Sequence, residues 1–151
     1  MALFLSTFEN KIDKKGRISV PAQFRVSLAN QDFSCVVVYE SFINECLEGC
    51  DISRIKQISE SIDNLDPFSE KRDAMATTVL GCAVQLPLDG DGRIILPENL
   101  IKKAGLDQKA IFIGKGPTFE IWNPTKFVKY LEKAKTSARE NLGQLKLVAK
   151  S

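Results

Sequence analysis

Residues 13–21 read Asp-Lys-Lys-Gly-Arg-Ile-Ser-Val-Pro, and residues 89–97 read Asp-Gly-Asp-Gly-Arg-Ile-Ile-Leu-Pro. Asp, Gly, Arg, Ile and Pro recur in one order at an offset of 76 residues (89 − 13 = 76), about half of the 151-residue chain. Agreement at that density marks an internal duplication. Neither half alone buries enough surface to be stable, so the two are expected to share one core and to present the same loop at two related places.

Each repeat is expected to open with a hairpin. Phe4 to Ile12 is rich in β-favouring residues, Asp13 to Gly16 supplies turn chemistry, and Arg17 to Val20 returns as a strand. In the second copy Cys82 to Leu88 enters and Arg93 to Leu96 returns. Pro21 and Pro97 then open short helices, Ala22 to Leu28 in the first copy and through Leu100 and Ile101 to a C′ glycine, Gly105, in the second. Further strands follow at Cys35–Tyr39 and Ile111–Ile113. Ile52, Ile55, Ile58 and Ile62 form a helical stripe behind an Asp51 cap; Phe127, Val128, Leu131, Ala134 and Ala138 form another behind Asn123-Pro124. Ser69 caps a helix running toward Leu80 and Gly81, and the lysine-bearing tail after Asn141 is expected to fray. The expected fold is mixed β with helices (α+β), the two strand sets closing as one pseudo-symmetric barrel.

The repeated loop carries the chemistry. Asp accepts backbone N–H bonds in an Asx turn, and Gly takes the positive φ that a bulge requires. The arginine leaves on the return strand, close to the aspartate in space. Its guanidinium either staples the turn by pairing with that carboxylate or reaches out to a phosphate or a guanine edge. Lys14 and Lys15 add two cations at the first tip, whereas Gly90 and Asp91 add none at the second, so the first loop is expected to dominate. Ile18, Val20, Ile94 and Leu96 face the other way as anchors. Asp89 and Asp91 read as turn residues rather than a catalytic dyad. Phe119 and Trp122 read as core, and Ile113-Gly114-Lys115-Gly116-Pro117 as a hairpin turn without phosphate-loop spacing.

Composition narrows the function. Net charge is +2, but residues 9–25 carry five cations against two acids and residues 126–151 seven against two. Residues 40–73 carry nine acids against four cations. Such segregation suits a polyanion, and equally suits ordinary solvated helix faces. The chain has no histidine, the commonest acid/base and metal ligand, so no enzyme, metal or cofactor is expected. The cysteines at 35, 46, 50 and 82 give a C-x₃-C pair without zinc spacing. They read as buried small hydrophobes, with a regulatory thiol pair as the alternative. No apolar run approaches the roughly 20 residues of a membrane span, and Met-Ala-Leu-Phe-Leu-Ser lacks the flank of a secretory signal, so the cytoplasm is expected.

The doubled Asp-x-x-Gly-Arg-Ile-x-[Val/Leu]-Pro unit, Pro21-Ala22-Gln23-Phe24-Arg25, and the strand Phe119-Glu120-Ile121-Trp122 together resemble the MraZ family. The likeness runs from about Phe4 to the helix near Leu131. It implies an AbrB-like, pseudo-symmetric double-split β-barrel with peripheral helices: a first repeat over 1–66, a connecting helix over 67–81, a second repeat over 82–141 and a flexible tail over 142–151. It further implies a nucleoid-associated bacterial transcriptional regulator of the division and cell-wall gene cluster. Such a protein binds short direct repeats in double-stranded promoter DNA as a homo-oligomeric ring, with no membrane or small-molecule substrate. The DNA-binding positions it implies are Asp13, Lys14, Lys15 and Arg17 in the first loop and Asp89 and Arg93 in the second. Here the second loop is acidic, and Met75-Ala76-Thr77-Thr78 stands where relatives often carry an arginine. The rival reading is a self-assembling interaction protein that acts on a protein partner without DNA.

Overall fold

Each half of the chain contributes four strands in the same order. The computed structural model describes residues 2–148. The first half holds β1 (Thr7–Lys11), β2 (Arg17–Ser19), β3 (Cys35–Glu40) and β4 (Leu47–Cys50). The second holds β5 (Val84–Pro87), β6 (Arg93–Ile95), β7 (Lys109–Gly114) and β8 (Phe119–Trp122). Helices α1 (Ala22–Leu28) and α4 (Glu98–Lys103) follow the repeated motifs, and α3 (Glu70–Met75) joins the halves. Helices α2 (Ile52–Asp63) and α5 (Pro124–Glu140) occupy equivalent places after β4 and β8. Among the described residues the architecture is mixed α+β with antiparallel sheets and five α-helices.

Six strands form one sheet in the order β1-β7-β8-β4-β3-β5, and β2 pairs with β6 in a separate ribbon. Exchanging each strand for its counterpart in the other repeat reverses the six-strand order, which is the signature of a pseudo-twofold axis. That axis passes where Glu48 faces Glu120 in the large sheet and where Ile18 faces Ile94 in the ribbon.

This pairing corrects the expected hairpins. The turns form, but β1 pairs with β7 and β5 with β3, leaving only an isolated bridge between Ile12 and Ile18. The return strands are three residues long, too short to hold a free hairpin in water. Pairing with each other instead buries Ile18 and Ile94, at 1% and 0% exposure, against both halves at once.

The helix caps follow the expected chemistry. Asp51, Ser69 and Asn123 accept from the backbone N–H of Arg54, Arg72 and Lys126 at 2.9, 3.1 and 3.1 Å. Pro21 precedes α1, which spans Ala22–Leu28 as expected, and Pro97, read as the helix start, sits at the cap; their carbonyls take the first helical hydrogen bonds from Phe24 and Leu100. The helix expected to run on to Gly81 ends at Met75 and widens into a π-helical turn over Ala76–Gly81. The Thr78 hydroxyl donates to the Ala74 carbonyl at 2.6 Å, a side-chain bond of the kind that distorts a helix ladder. Of the expected tail over 142–151, residues 149–151 lie outside the described residues, and Leu142–Gln144 forms one 3₁₀ turn.

The main core gathers inward residues of the large sheet and the ribbon together with Phe24 and Leu28 of α1 and Leu100 of α4. The Phe24 ring meets Phe4, Phe8 and Phe119 at centroid distances of 5.2, 5.5 and 5.1 Å. Two smaller clusters occupy the outer face of the sheet. Val37, Tyr39 and Cys50 pack under Ile52 and Ile55 of α2, while Cys46 and Trp122 pack under Phe127, Tyr130 and Leu131 of α5. Trp122 and Phe119 are core, as expected. Cys35, Cys46 and Cys50 are buried, whereas Cys82, beyond the π turn and outside all three clusters, is exposed, correcting the reading of all four as core. Burial pushes the Cys50 thiol up to about 12 and raises that of Cys46, so neither offers a thiolate at neutral pH.

Gly49 faces Phe119 across the ladder, and the Phe119 ring occupies the space of any Cβ there. Gly49→Ala should therefore destabilise the protein by about 1–3 kcal/mol through overpacking, read as a lower midpoint in urea. An unchanged midpoint would contradict the close ring contact.

Candidate nucleic-acid interface

The two motif loops have one geometry. In the first, the Asp13 carboxylate accepts from the backbone N–H groups of Lys15 and Arg17 at 2.9 and 2.8 Å through Oδ1. Its Oδ2 takes the Arg17 Nε–H at 2.6 Å. In the second, Asp89 Oδ1 accepts from Asp91 and Arg93 N–H at 2.8 and 2.9 Å, and Oδ2 takes the Arg93 Nε–H at 3.1 Å. Gly16 and Gly92 close the turns at φ +82° and +74°, conformations that only glycine adopts without strain. The aspartate thus shapes the turn and orients the arginine together.

The ribbon then decides where the arginines point. Arg17 lies opposite Ile95 and Arg93 opposite Ser19, so all four share one face while Ile18 and Ile94 fill the other. The arginines are diagonal neighbours on that face, roughly 7–8 Å apart at the backbone. The loops lock this arrangement reciprocally: Val20 N–H donates to the Gly92 carbonyl at 3.0 Å and Leu96 N–H to the Gly16 carbonyl at 2.9 Å. Because the strands are antiparallel, the loop tips stand at opposite ends of the ribbon. Lys14 and Lys15 are exposed at one tip and Asp91 at the other.

The guanidinium groups face solvent, with side-chain exposures of 37% for Arg17 and 36% for Arg93. Each uses Nε to hold its own aspartate, which leaves the terminal nitrogens for other partners. Arg17 keeps both, since neither enters a hydrogen bond among the described residues. Arg93 gives its Nη2 to Asp91 at 3.3 Å. The pairing and the outward reach, set as alternatives from sequence, coexist because a guanidinium has more donors than one carboxylate can fill.

One residue of this surface, read from sequence only as the end of the Pro21–Arg25 unit, was not among the expected contacts. Arg25, near the end of α1, lays its side chain across Gly92 of the second loop, in the space a Cβ would take. At Gly16 the space of a Cβ is closed by the Leu96 carbonyl oxygen, and the nearest side chain is Ile101 of α4, its Cδ1 3.4 Å away. Carrying the 76-residue offset through the helices pairs exactly these two positions (101 − 25 = 76) and is the signal that finds them. No group of three or more potential metal ligands occurs among the described residues, and no helix among them is long and apolar enough to cross a membrane.

The MraZ protein family model matches the chain twice, over residues 3–78 and 79–147, extending the likeness beyond the expected limit near Leu131. The chain is 49% identical over 140 residues to the transcriptional regulator MraZ of Rickettsia akari (strain Hartford), spanning 93% of this chain and 94% of that relative. It is 50% identical to the same-named regulator of Rickettsia rickettsii (strain Sheila Smith), and 48% to that of Rickettsia bellii (strain OSU 85-389), with the same coverage.

The backbone N–H of Arg17, followed by its guanidinium and the Lys15 N–H, holds the Asp13 carboxyl below the ordinary aspartate range. Asp89 is lowered likewise, first by the Arg93 N–H. A depressed carboxylate contributes order that is complete above its unfolded pKa and is lost as pH falls through its folded one. Both loops should therefore hold their shape from neutral to mildly acid pH and open only below the ordinary aspartate range. Acid titration of the Arg17 and Arg93 Nε–H resonances checks this, and Asp13→Asn should remove the transition at Arg17 alone. A midpoint at or above that of a free aspartate speaks against the geometry.

Proposed function

Since the chain belongs to the MraZ family of transcriptional regulators, we propose that it binds double-stranded promoter DNA through the arginine face of the β2–β6 ribbon. The observation that carries this reading is the pair of oriented, solvent-facing guanidinium groups on one face of one rigid ribbon. Asp13 and Asp89 fix the loop shape and aim the arginines; Arg17, Lys14 and Lys15 contact phosphate or base edges from the first loop, and Arg93 does so from the second. The site is a single surface built jointly by both repeats.

The fuller reading places the protein in the cytoplasm, at the nucleoid, acting on short direct repeats before the division and cell-wall gene cluster. The ribbon bridges the sheet edges β1 and β5, which supports reading the fold as an AbrB-like double-split barrel. Its repeats then span 1–66 and 82–141, joined by the helical segment 67–81 and followed by the tail from 142. One protomer carries few cations on this face, so its own grip is weak. Copies assembled in a ring engage successive repeats, and effective concentration raises the joint affinity by roughly 10² to 10⁴.

With Z phosphates neutralised, log affinity falls against log salt with a slope of about −0.9Z. Arg17→Ala should abolish the shift of promoter DNA in a gel assay while leaving the fold intact, because a half-exposed ion pair contributes little to stability. Retained binding by that variant removes the loop from the reading, and salt-insensitive capture of a purified protein without any DNA shift would favour a protein partner instead. Arg93→Ala should cost less than Arg17→Ala, since Asp91 already occupies one of its terminal nitrogens. An equal or larger loss reverses that order.

A further inference from the structure

The two loops are equivalent in backbone and unequal in charge. The first carries Asp13 against Lys14, Lys15 and Arg17; the second carries Asp89 and Asp91 against Arg93 alone. A polyanion approaching both ends of the ribbon meets attraction at one tip and net repulsion at the other. Across the second loop, however, lies a cation from the other repeat. Arg25 is exposed, its side chain rests over Gly92, and it takes part in none of the ion pairs among the described residues. The corresponding side chain under the first loop is the apolar Ile101. The loop that lacks its own lysines is therefore the loop that receives an arginine from outside, and the loop that has lysines is backed by a hydrocarbon.

We infer that Arg25, with the Gly92 turn and Arg93, forms a composite phosphate-binding site on the second loop, made from both repeats and taking one backbone phosphate of a duplex. The inference rests on the proposed DNA-binding role of the ribbon face. The helix sets its geometry: Arg25 stands on the last turn of α1, whose Phe24 and Leu28 are locked in the core at 1% exposure each. The stem of Arg25 is thus anchored by a rigid element rather than by the loop that it serves. Its guanidinium is planar and always charged, suited to bidentate contact with a phosphate. Arg93, tied to Asp89 and Asp91, supplies orientation and its remaining donors.

The test measures full-length protein on a promoter duplex and on a scrambled duplex across a series of salt concentrations. Arg25→Gln keeps a polar stem over Gly92 and removes the charge. Its log–log salt slope should become shallower by about 0.9 for each protomer in contact, with affinity lost equally on both duplexes. Arg25→Lys, which retains the charge, should hold the parental slope. Gly90→Lys, placed in the Arg25→Gln background, should restore it: position 90 is the counterpart of Lys14 (90 − 14 = 76), and a Cβ there meets no atom within 4 Å. The proposal is overturned if Arg25→Gln leaves the slope unchanged while Arg17→Ala still abolishes binding. It is also overturned if Arg25→Lys loses as much slope as Arg25→Gln, because packing and not charge is then responsible. Retained binding by Arg17→Ala instead removes the loop reading on which the inference rests, an outcome separate from both.

Discussion

The exchange of strands between repeats is the constraint on which the rest depends. β2 and β6 are too short to stand as hairpins on their own strands, and they find each other across the pseudo-twofold axis. Three consequences follow from that one pairing. Ile18 and Ile94 come together in the core, the loop glycines accept hydrogen bonds from the opposite repeat, and both arginines emerge on one face. Separating the repeats would remove all three at once, so the duplicated unit acts as half a domain. The proposed DNA-binding surface and the fold are held by the same bonds.

Within that frame, each loop separates shape from reach. The aspartate takes two backbone N–H groups and one guanidinium N–H, using its carboxylate to fix the turn. The arginine gives the aspartate only its Nε–H; the terminal nitrogens of Arg17 stay free of hydrogen bonds among the described residues, and one of those of Arg93 meets Asp91. A side chain so oriented loses less freedom on meeting a ligand than a free surface lysine does. The difference between the loops lies outside this frame, in the residues that fill the tips and the helices that back them. The two loops share the backbone device and differ in where their charge sits: Lys14 and Lys15 on one loop, Arg25 beside the other.

The outer face of the large sheet is covered symmetrically by α2 and α5, but with different chemistry. Under α5, Trp122 stacks on Tyr130 at 4.7 Å and donates its indole N–H to the buried Glu120 at 2.9 Å, while Lys115 meets the other carboxylate oxygen at 3.2 Å. The Glu-Ile-Trp strand is thus a satisfied polar network packed beneath a helix. Under α2 the equivalent strand carries Glu48, which accepts from the Tyr39 hydroxyl at the longer distance of 3.4 Å. Glu48 and Glu120 are ladder partners, so two carboxylates stand beside each other on the axis, and the lysine and indole contacts on one of them relieve that repulsion.

The sequence by itself determined whatever depends on neighbours along the chain. The turn glycines, the caps at Asp51, Ser69 and Asn123, the helical stripes of α2 and α5, and the inward alternation of Ile18, Val20, Ile94 and Leu96 all follow from spacings of a few residues. The duplication, and with it the two-fold character of the core, was legible from the 76-residue offset. Strand partners were not. A period of two says which face of a strand is apolar but is silent on which strand lies beside it, so adjacent segments read as hairpins although β1 and β5 pair elsewhere. The π-helical turn, where Thr78 binds back to Ala74, was likewise invisible in composition. Only the tertiary structure brought Arg25 over Gly92, because that contact joins positions 67 residues apart (92 − 25 = 67) through a helix docked by its buried phenylalanine. Local chemistry writes the turns and caps; long-range burial alone selects which of them meet.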